Sequence, residues 1–432
     1  MYRSIRMVIV LAIAAIVASS AGAAPPEYVQ QPSKVAVKRR GLDNVFAKLQ
    51  AGKEVRIAYF GGSITAANGW RVKTLKWFQD RYPKAKVVEI NAAIGGTGSD
   101  LGVYRCRQDV LSHKPDLIFV EFAVNDGGAE PINIWRSMEG IVRQAWAQDP
   151  NIDICYIYTM VTGFTGDYDK GMFPRATSAD EMLAEYYGIP AVSVAYPTAQ
   201  LAREGKLWYT PKKDDQGKEI APPPGVIVWS DDGVHPRDAG HEIYAQCIED
   251  QLVSWETGAK PQAHELKAPF IADNWEHAKL VPLQPSMLTP GWKQLSPTEG
   301  LGAAFHGFMP VIWSADKPGE KITFKFKGTA VKLYDLMGPT IAKAIVTLDG
   351  KTSTVTQFDQ WCNYWRLATL NIADGLPNDV HTVTVEISPD QPDRKAVTDQ
   401  FKNDPKFDPK AYDGTVMNIG SIMLIGEVNA ER

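Results

Sequence analysis

Cysteine is scarce in this chain. Cys106, Cys155, Cys247 and Cys362 are the four in 432 residues. No two stand in a CxxC pair, and the spacing is too wide for a disulfide-stapled scaffold or a cysteine zinc site, although room remains for one disulfide of unread pairing. Excess charge is missing too: 46 Lys and Arg against 50 Asp and Glu leave a formal charge of −4. That balance gives no electrostatic case for nucleic acid or an anionic membrane surface. There is no Walker loop, no GxGxxG and no HExxH, and only seven histidines, so neither a cofactor nor a metal is expected. Beyond the N-terminus no segment approaches ~18 uninterrupted apolar residues. An apolar share of 44% and a charged share of 22% exclude wholesale disorder.

The first residues read as an address. Arg3 and Arg6 precede an apolar run from Met7 to Ala18, and Ala21-Gly22-Ala23 forms a small-residue cleavage site. This is the layout of a secretory signal peptide, and the apolar run is too short for a comfortable bilayer span. The expectation is an exported protein, periplasmic or extracellular, with no integral membrane segment after cleavage. Its oligomeric state is not legible.

From about residue 55 to 255, short apolar strands alternate with helical stretches. VRIAYF (55–60), KVVEINAAI (86–94), DLIFVEFAV (116–124), IDICYIYTM (152–160) and AVSVAY (191–196) read as strands. A helix carrying Trp70, Leu75, Phe78 and Tyr82 ends at Pro83, and another runs from Ile132 to Ala147 behind Pro131. Continuous apolar strands alternating with helices predict a parallel sheet covered on both faces. Two connections, 161–178 and about 203–224, exceed the 12–15 residues typical of plain loops and read as rims of a cleft. After Trp255 the pattern changes. Residues 276–292 are proline-punctuated, and alternating segments at 321–328, 330–336, 342–350, 381–388 and 421–428 predict an all-β sandwich. The expected division is 1–23 signal peptide, 24–50 extension, 51–258 catalytic domain, 259–292 linker and 293–432 β sandwich.

Chemistry gathers at strand ends. Gly61-Gly62-Ser63-Ile64-Thr65 follows the first strand and opens a helix, where parallel sheets place their ligands. A serine nucleophile needs a histidine base oriented by a carboxylate. Two Asp-x-x-His pairs exist, Asp232 with His235 and Asp238 with His241. The first lies in WSDDGVHP, a loop entering a helix, with Asp231 as a reserve acid. The second lies within the helix and reads as a surface pair. For an oxyanion hole, NAAIGGTG (91–98) offers backbone N–H groups and Asn125, after the third strand, offers a side-chain amide.

These four blocks together resemble the SGNH hydrolases, the group that contains the GDSL esterases. Gly61-Gly62-Ser63-Ile64-Thr65 matches the first block, with Gly62 where the family usually has an acid. NAAIGGTGS matches the second and places its oxyanion glycine at Gly96. Ala123-Val124-Asn125-Asp126 matches the third, with Ala123 in place of glycine, and Asp232-Gly-Val-His235-Pro236, with Gly240 beyond it, matches the last. The resemblance covers about residues 50–256. It implies a flavodoxin-like parallel sheet flanked by helices, and a Ser63–His235–Asp232 triad with an oxyanion hole from Ser63, Gly96 and Asn125.

The C-terminal segments resemble jelly-roll, galactose-binding-like modules. Trp313, Trp361, Tyr364 and Trp365 are candidate sugar-stacking faces there or packing residues. The resemblances together imply a secreted carbohydrate O-acetylesterase acting on an acetylated polysaccharide or oligosaccharide. The rivals are a lipase or thioesterase on the same scaffold, a glycan-binding protein with a degenerate hydrolase domain, and a transacylase.

Overall fold

The computed structural model describes residues 25–258, 260–404 and 407–428. The expected signal peptide lies outside the described residues. The first half is built on a six-stranded sheet. Its strands are β1 (Ala36–Val37), β2 (Glu54–Gly61), β3 (Lys86–Asn91), β4 (Leu117–Glu121), β5 (Asp153–Tyr158) and β6 (Ala191–Ser193). In space the order is β1-β6-β5-β4-β2-β3. β2 to β6 run parallel, and β1 pairs antiparallel with β6. β4 and β5 are buried along their whole length, which is why their sequences show no polar alternation.

Helices cover both faces: α1 (Asp43–Gln50), α2 (Ser63–Ala66), α3 (Trp70–Arg81), α4 (Ser99–Asp109), α5 (Pro131–Gln148), α6 (Thr165–Asp169), α7 (Arg175–Tyr187), α8 (Ala195–Arg203) and α9 (Asp238–Trp255). Pro131 takes the first helical position of α5, where its missing N–H costs nothing. From β2 the chain steps to β3 on one side and then to β4 on the other. The carboxyl end of β2 is therefore the topological switch point, with the ends of β3 and β4 flanking it.

Several segments are more structured than their sequence suggests. The 161–178 connection holds a 3-10 turn, α6 and the start of α7. By contrast, residues 214–224 are exposed. β7 (Leu207–Trp208) and β8 (Ile227–Val228) close that second connection into a small parallel pair. β9 (Ala278–Pro282), inside the stretch expected as linker, pairs with the last strand of the chain. The extension before residue 50 contributes β1 and α1.

The second half is an antiparallel β domain. Its further strands are β10 (Lys293–Gln294), β11 (Trp313–Ala315), β12 (Lys321–Met337), β13 (Ala344–Leu348), β14 (Lys351–Val355), β15 (Arg366–Ala373), β16 (Asp379–Ile387) and β17 (Met417–Val428). The segments read separately at 321–328 and 330–336 are one strand, β12, with a register shift between Gly328 and Ala330. The first part of β12 pairs with β16, the second with β15, and β17 runs beside both. The shift lies where β12 passes from pairing with β16 to pairing with β15. Ile322, Phe324, Phe326, Val331 and Leu333 fill the core of this domain. Ala330, Tyr334, Leu336, Met423 and Ile425 instead join the buried cluster of the α/β half, so one apolar core runs across the boundary.

All four cysteines are free and buried, which rules out the disulfide left open by the sequence. Of the aromatic candidates, Trp313 and Trp365 pack partly buried against the cores. Trp361 and Tyr364 are 52% and 54% exposed.

Candidate active site

Ser63 is the first residue of α2, directly after β2, and Gly62 caps the turn. Gly62 donates its N–H to the Glu121 carbonyl at the end of β4 (3.3 Å). A side chain at position 62 would overlap the Asn125 side-chain amide. With Asn125 placed as it is, position 62 has no room for a side chain. Behind α2, the buried Arg71 guanidinium donates to the carbonyls of Thr65 (3.0 Å) and Ala66 (3.4 Å), fixing its far end.

The histidine comes from a loop closed on itself ahead of α9. Arg237 N–H bonds to the Trp229 carbonyl (2.6 Å), and Ser230 bridges to Pro236. Within this loop Asp232 Oδ1 accepts from the N–H groups of Val234 (2.9 Å) and His235 (2.8 Å) and from the Ser230 hydroxyl (2.9 Å). Its other oxygen faces His235 Nδ1 at 2.6 Å, and His235 Nε2 faces Ser63 Oγ at 2.8 Å. Burial pushes the Asp232 carboxyl up. Hydrogen bonds from the His235 ring, the two backbone N–H groups and Ser230 outweigh it and hold the group well below the usual carboxylate range. An ionised Asp232 keeps the ring proton on Nδ1 and turns the Nε2 lone pair toward Ser63. Ser63, His235 and Asp232 thus form a hydrogen-bonded line, although 172 residues separate the first two.

The residues expected as oxyanion donors belong to two turns near that serine's own turn. Gly95 sits against it, a Cβ there falling 3.6 Å from Ser63 Cβ, and the exposed Gly96 follows with φ +73°. Asn125 begins a 3-10 turn after β4. Ala123, two residues before it, is fully buried.

The reserve acid and the second histidine are elsewhere. Asp231 bonds to Arg237 Nε (2.9 Å). Asp238 pairs with Lys73 (2.9 Å). His241, expected as a surface residue, is 6% exposed: its Nδ1 accepts the Trp70 N–H (3.3 Å), and burial pushes its pKa down to about 4. Helix period alone cannot see that α9 turns this face onto the start of α3.

A supporting layer escaped the sequence reading. Glu121, 1% exposed, accepts from the hydroxyls of Thr65 and Thr159, both at 2.7 Å, linking the serine turn to the end of β5. Burial pushes its pKa up to about 7 against those bonds. Asp126, pushed up to about 7 by burial, accepts the Ser99 N–H (3.0 Å) and so ties the asparagine turn to the start of α4. Thr162 N–H bonds to the Gly233 carbonyl (2.9 Å), and a Cβ at Gly127 would fall 3.3 Å from the Phe164 ring. The 161–164 segment therefore spans the histidine loop and the asparagine turn. A lone acid inside the apolar run DLIFVEFAV was the one signal that pointed to Glu121. Among the described residues no group of three or more His, Cys, Asp or Glu is arranged to hold a metal ion.

Residues 59–243 match the model of the GDSL-like lipase/acylhydrolase family. Two crystal structures of a two-domain esterase active on acetylated mannans share the fold over nearly the whole chain. One was co-crystallised with mannopentaose; at 23% identity it covers 93% of this chain and 97% of its own, with a TM-score of 0.66. The other, at 24% identity, covers 92% and 97%, with a TM-score of 0.67. No curated protein sequence matches the chain. The strand order, the blocks at the switch point and the matched segment agree: residues 59–243 form a domain of the GDSL-like lipase/acylhydrolase family.

Proposed function

We propose that the protein is an exported serine esterase that removes O-acetyl groups from a polysaccharide or oligosaccharide. One observation carries this reading: the unbroken line from Ser63 Oγ through the His235 ring to Asp232, at 2.8 and 2.6 Å. In this mechanism Ser63 attacks the ester carbonyl while His235 takes its proton, and Asp232 stabilises the imidazolium. The N–H groups of Ser63 and Gly96 and the Asn125 amide hold the oxyanion. His235 then protonates the leaving sugar hydroxyl, and water releases acetate by the reverse path.

The fold shared with an esterase active on acetylated mannans supports a carbohydrate substrate. Export rests on the basic, apolar and small-residue order of residues 1–23. No described helix is long and apolar enough to cross a membrane.

Acetate release from acetylated mannan, xylan, xyloglucan, pectin and algal polymers tests the proposal, with p-nitrophenyl acetate and palmitate alongside. Deacetylation of at least one polymer, lost in Ser63→Ala, is the expected result. Preference for palmitate assigns a lipase instead, and glycan binding without turnover assigns a degenerate hydrolase.

A further inference from the structure

Arg105 is fully buried on α4, and its guanidinium lacks a full set of partners. Nη1 donates to the Ala92 carbonyl (2.5 Å) and to Asp109, one turn along the helix (3.1 Å). Nε and Nη2 are buried with no hydrogen-bond partner among the described residues. The guanidinium lies over the Phe60 ring, 4.6 Å from its centre. Burying a charge with donors unsatisfied lowers stability, and an apolar side chain of similar volume would fill the same space without that cost. Packing alone therefore gives no reason for an arginine here. Its contacts give one.

Phe60, Ala92 and Phe122 each stand just ahead of one block of the site. Phe60 lies in β2, before Ser63; Ala92 follows β3, before Gly96; and Phe122 follows β4, before Asn125. Arg105 holds the first two directly, and the Phe60 ring meets the Phe122 ring edge-on at 5.1 Å. Backbone bonds tie the same stretch to β2: Ala92 N–H to the Tyr59 carbonyl and Ile94 N–H to the Gly61 carbonyl, both at 3.0 Å. On the other side, Asp126 N–H bonds to the Phe122 carbonyl (2.9 Å). A cation over an aromatic face is strongest where water is excluded. Arg105 therefore joins the turn between β3 and α4 to the strand that carries the nucleophile.

We infer that Arg105 is a positioning residue for the oxyanion hole, fixing the Gly96 turn relative to Ser63 through the Ala92 carbonyl and the Phe60 ring. This role rests on the esterase reading above. Oxyanion donors act only when held at the place where charge develops, and a misplacement of ~1 Å can cost about 10²-fold. Loosening the turn removes an interaction made in the transition state, so it lowers kcat and spares KM.

The test is steady-state hydrolysis of p-nitrophenyl acetate by the full chain, well below each variant's melting temperature. Arg105→Met keeps the volume and loses the charge and the donor to Ala92. Arg105→Lys keeps a cation and a donor without the planar stack. Arg143→Met is the comparison: Arg143 is also buried, on α5, and bonds to Glu276 (2.8 Å) and the Lys267 carbonyl (2.8 Å), away from the four blocks. The expected result for Arg105→Met is a kcat lowered about 10–100-fold with KM within about threefold of wild type. Arg105→Lys should recover part of that loss, and Arg143→Met should lower the melting temperature with kcat retained. Hydrogen exchange of the Ala92 and Ile94 amides should quicken about tenfold or more in Arg105→Met and stay unchanged in Arg143→Met. If Arg105→Met does not fold, Arg105→Lys and Phe60→Leu, which removes the ring under the guanidinium, decide by the same split of kcat from KM.

A kcat within about threefold of wild type in the Arg105 variants overturns the proposal. So does a rise in KM in place of a fall in kcat, or an equal loss in Arg143→Met. If the wild type itself turns nothing over, the esterase reading fails and the positioning role with it. If the wild type turns over and Arg105→Met matches it, the positioning role alone fails.

Discussion

Gly62 and Asn125 compete for one volume, and this has a kinetic consequence. A methyl at position 62 overlaps the Asn125 amide, so Gly62→Ala must displace the proposed oxyanion donor while leaving Ser63 and His235 chemically intact. Asn125→Ala is expected to lower kcat by about 10²–10³-fold, the usual loss for one such donor. Gly62→Ala should approach that value. The double variant should be little worse than either single one, because both remove the same interaction. Independent, multiplying losses in steady-state kinetics would contradict the geometry. Ser63→Ala and His235→Ala are each expected to cost about 10⁴-fold or more. His241→Ala sorts differently: its ring is buried and accepts a backbone N–H. It should lower stability by about 2–4 kcal/mol with kcat nearly retained, which thermal melts and turnover numbers on one preparation will show.

At the scale of elements, the site hangs on strand ends held by buried acids. Glu121 bridges the helix that starts at Ser63 to the end of β5. Its carboxyl is raised from 4.5 to about 7, with burial the dominant cause. An acid raised in the folded state binds its proton more tightly there than in the unfolded chain. Its contribution to stability is therefore full below pH 4.5 and is lost as pH rises through about 7. Glu121→Gln keeps a neutral group of the same shape and should remove that contribution to the slope. Its melting temperature relative to wild type is predicted to rise between pH 5 and 8, by an amount equivalent to at most about 3 kcal/mol. A flat difference over that range would show that Glu121 is not the group that titrates.

For the whole molecule, the continuous core matters most. Ala330, Tyr334, Leu336, Met423 and Ile425 are buried together with Tyr104, Val103 and their neighbours, and β9 leaves the α/β half to pair with β17. Halves sharing one apolar core lose stability together. Scanning calorimetry of the chain is expected to show one transition, and a fragment ending near residue 258 should expose the shared face and aggregate. Two well-separated transitions would show instead that the halves are independent.

The sequence by itself determined the main elements and marked the candidate side chains. Apolar strands such as β4 and β5 had to be interior to a parallel sheet, Pro131 had to begin a helix, and the blocks at Ser63, Asn125 and His235 named their side chains, because these depend on local pattern and residue type. It also marked the second half as all-β. Tertiary structure alone decided which groups meet. The burial of His241 depends on the face α9 turns toward α3, and the link from Glu121 to Thr65 and Thr159 depends on the order in which strands are laid side by side. The joining of 321–337 into one strand and the pairing of β9 with β17 depend on contacts between residues far apart in the chain. A periodicity read along one segment carries no information about the partner that will cover it, and the site exists only where those partners converge.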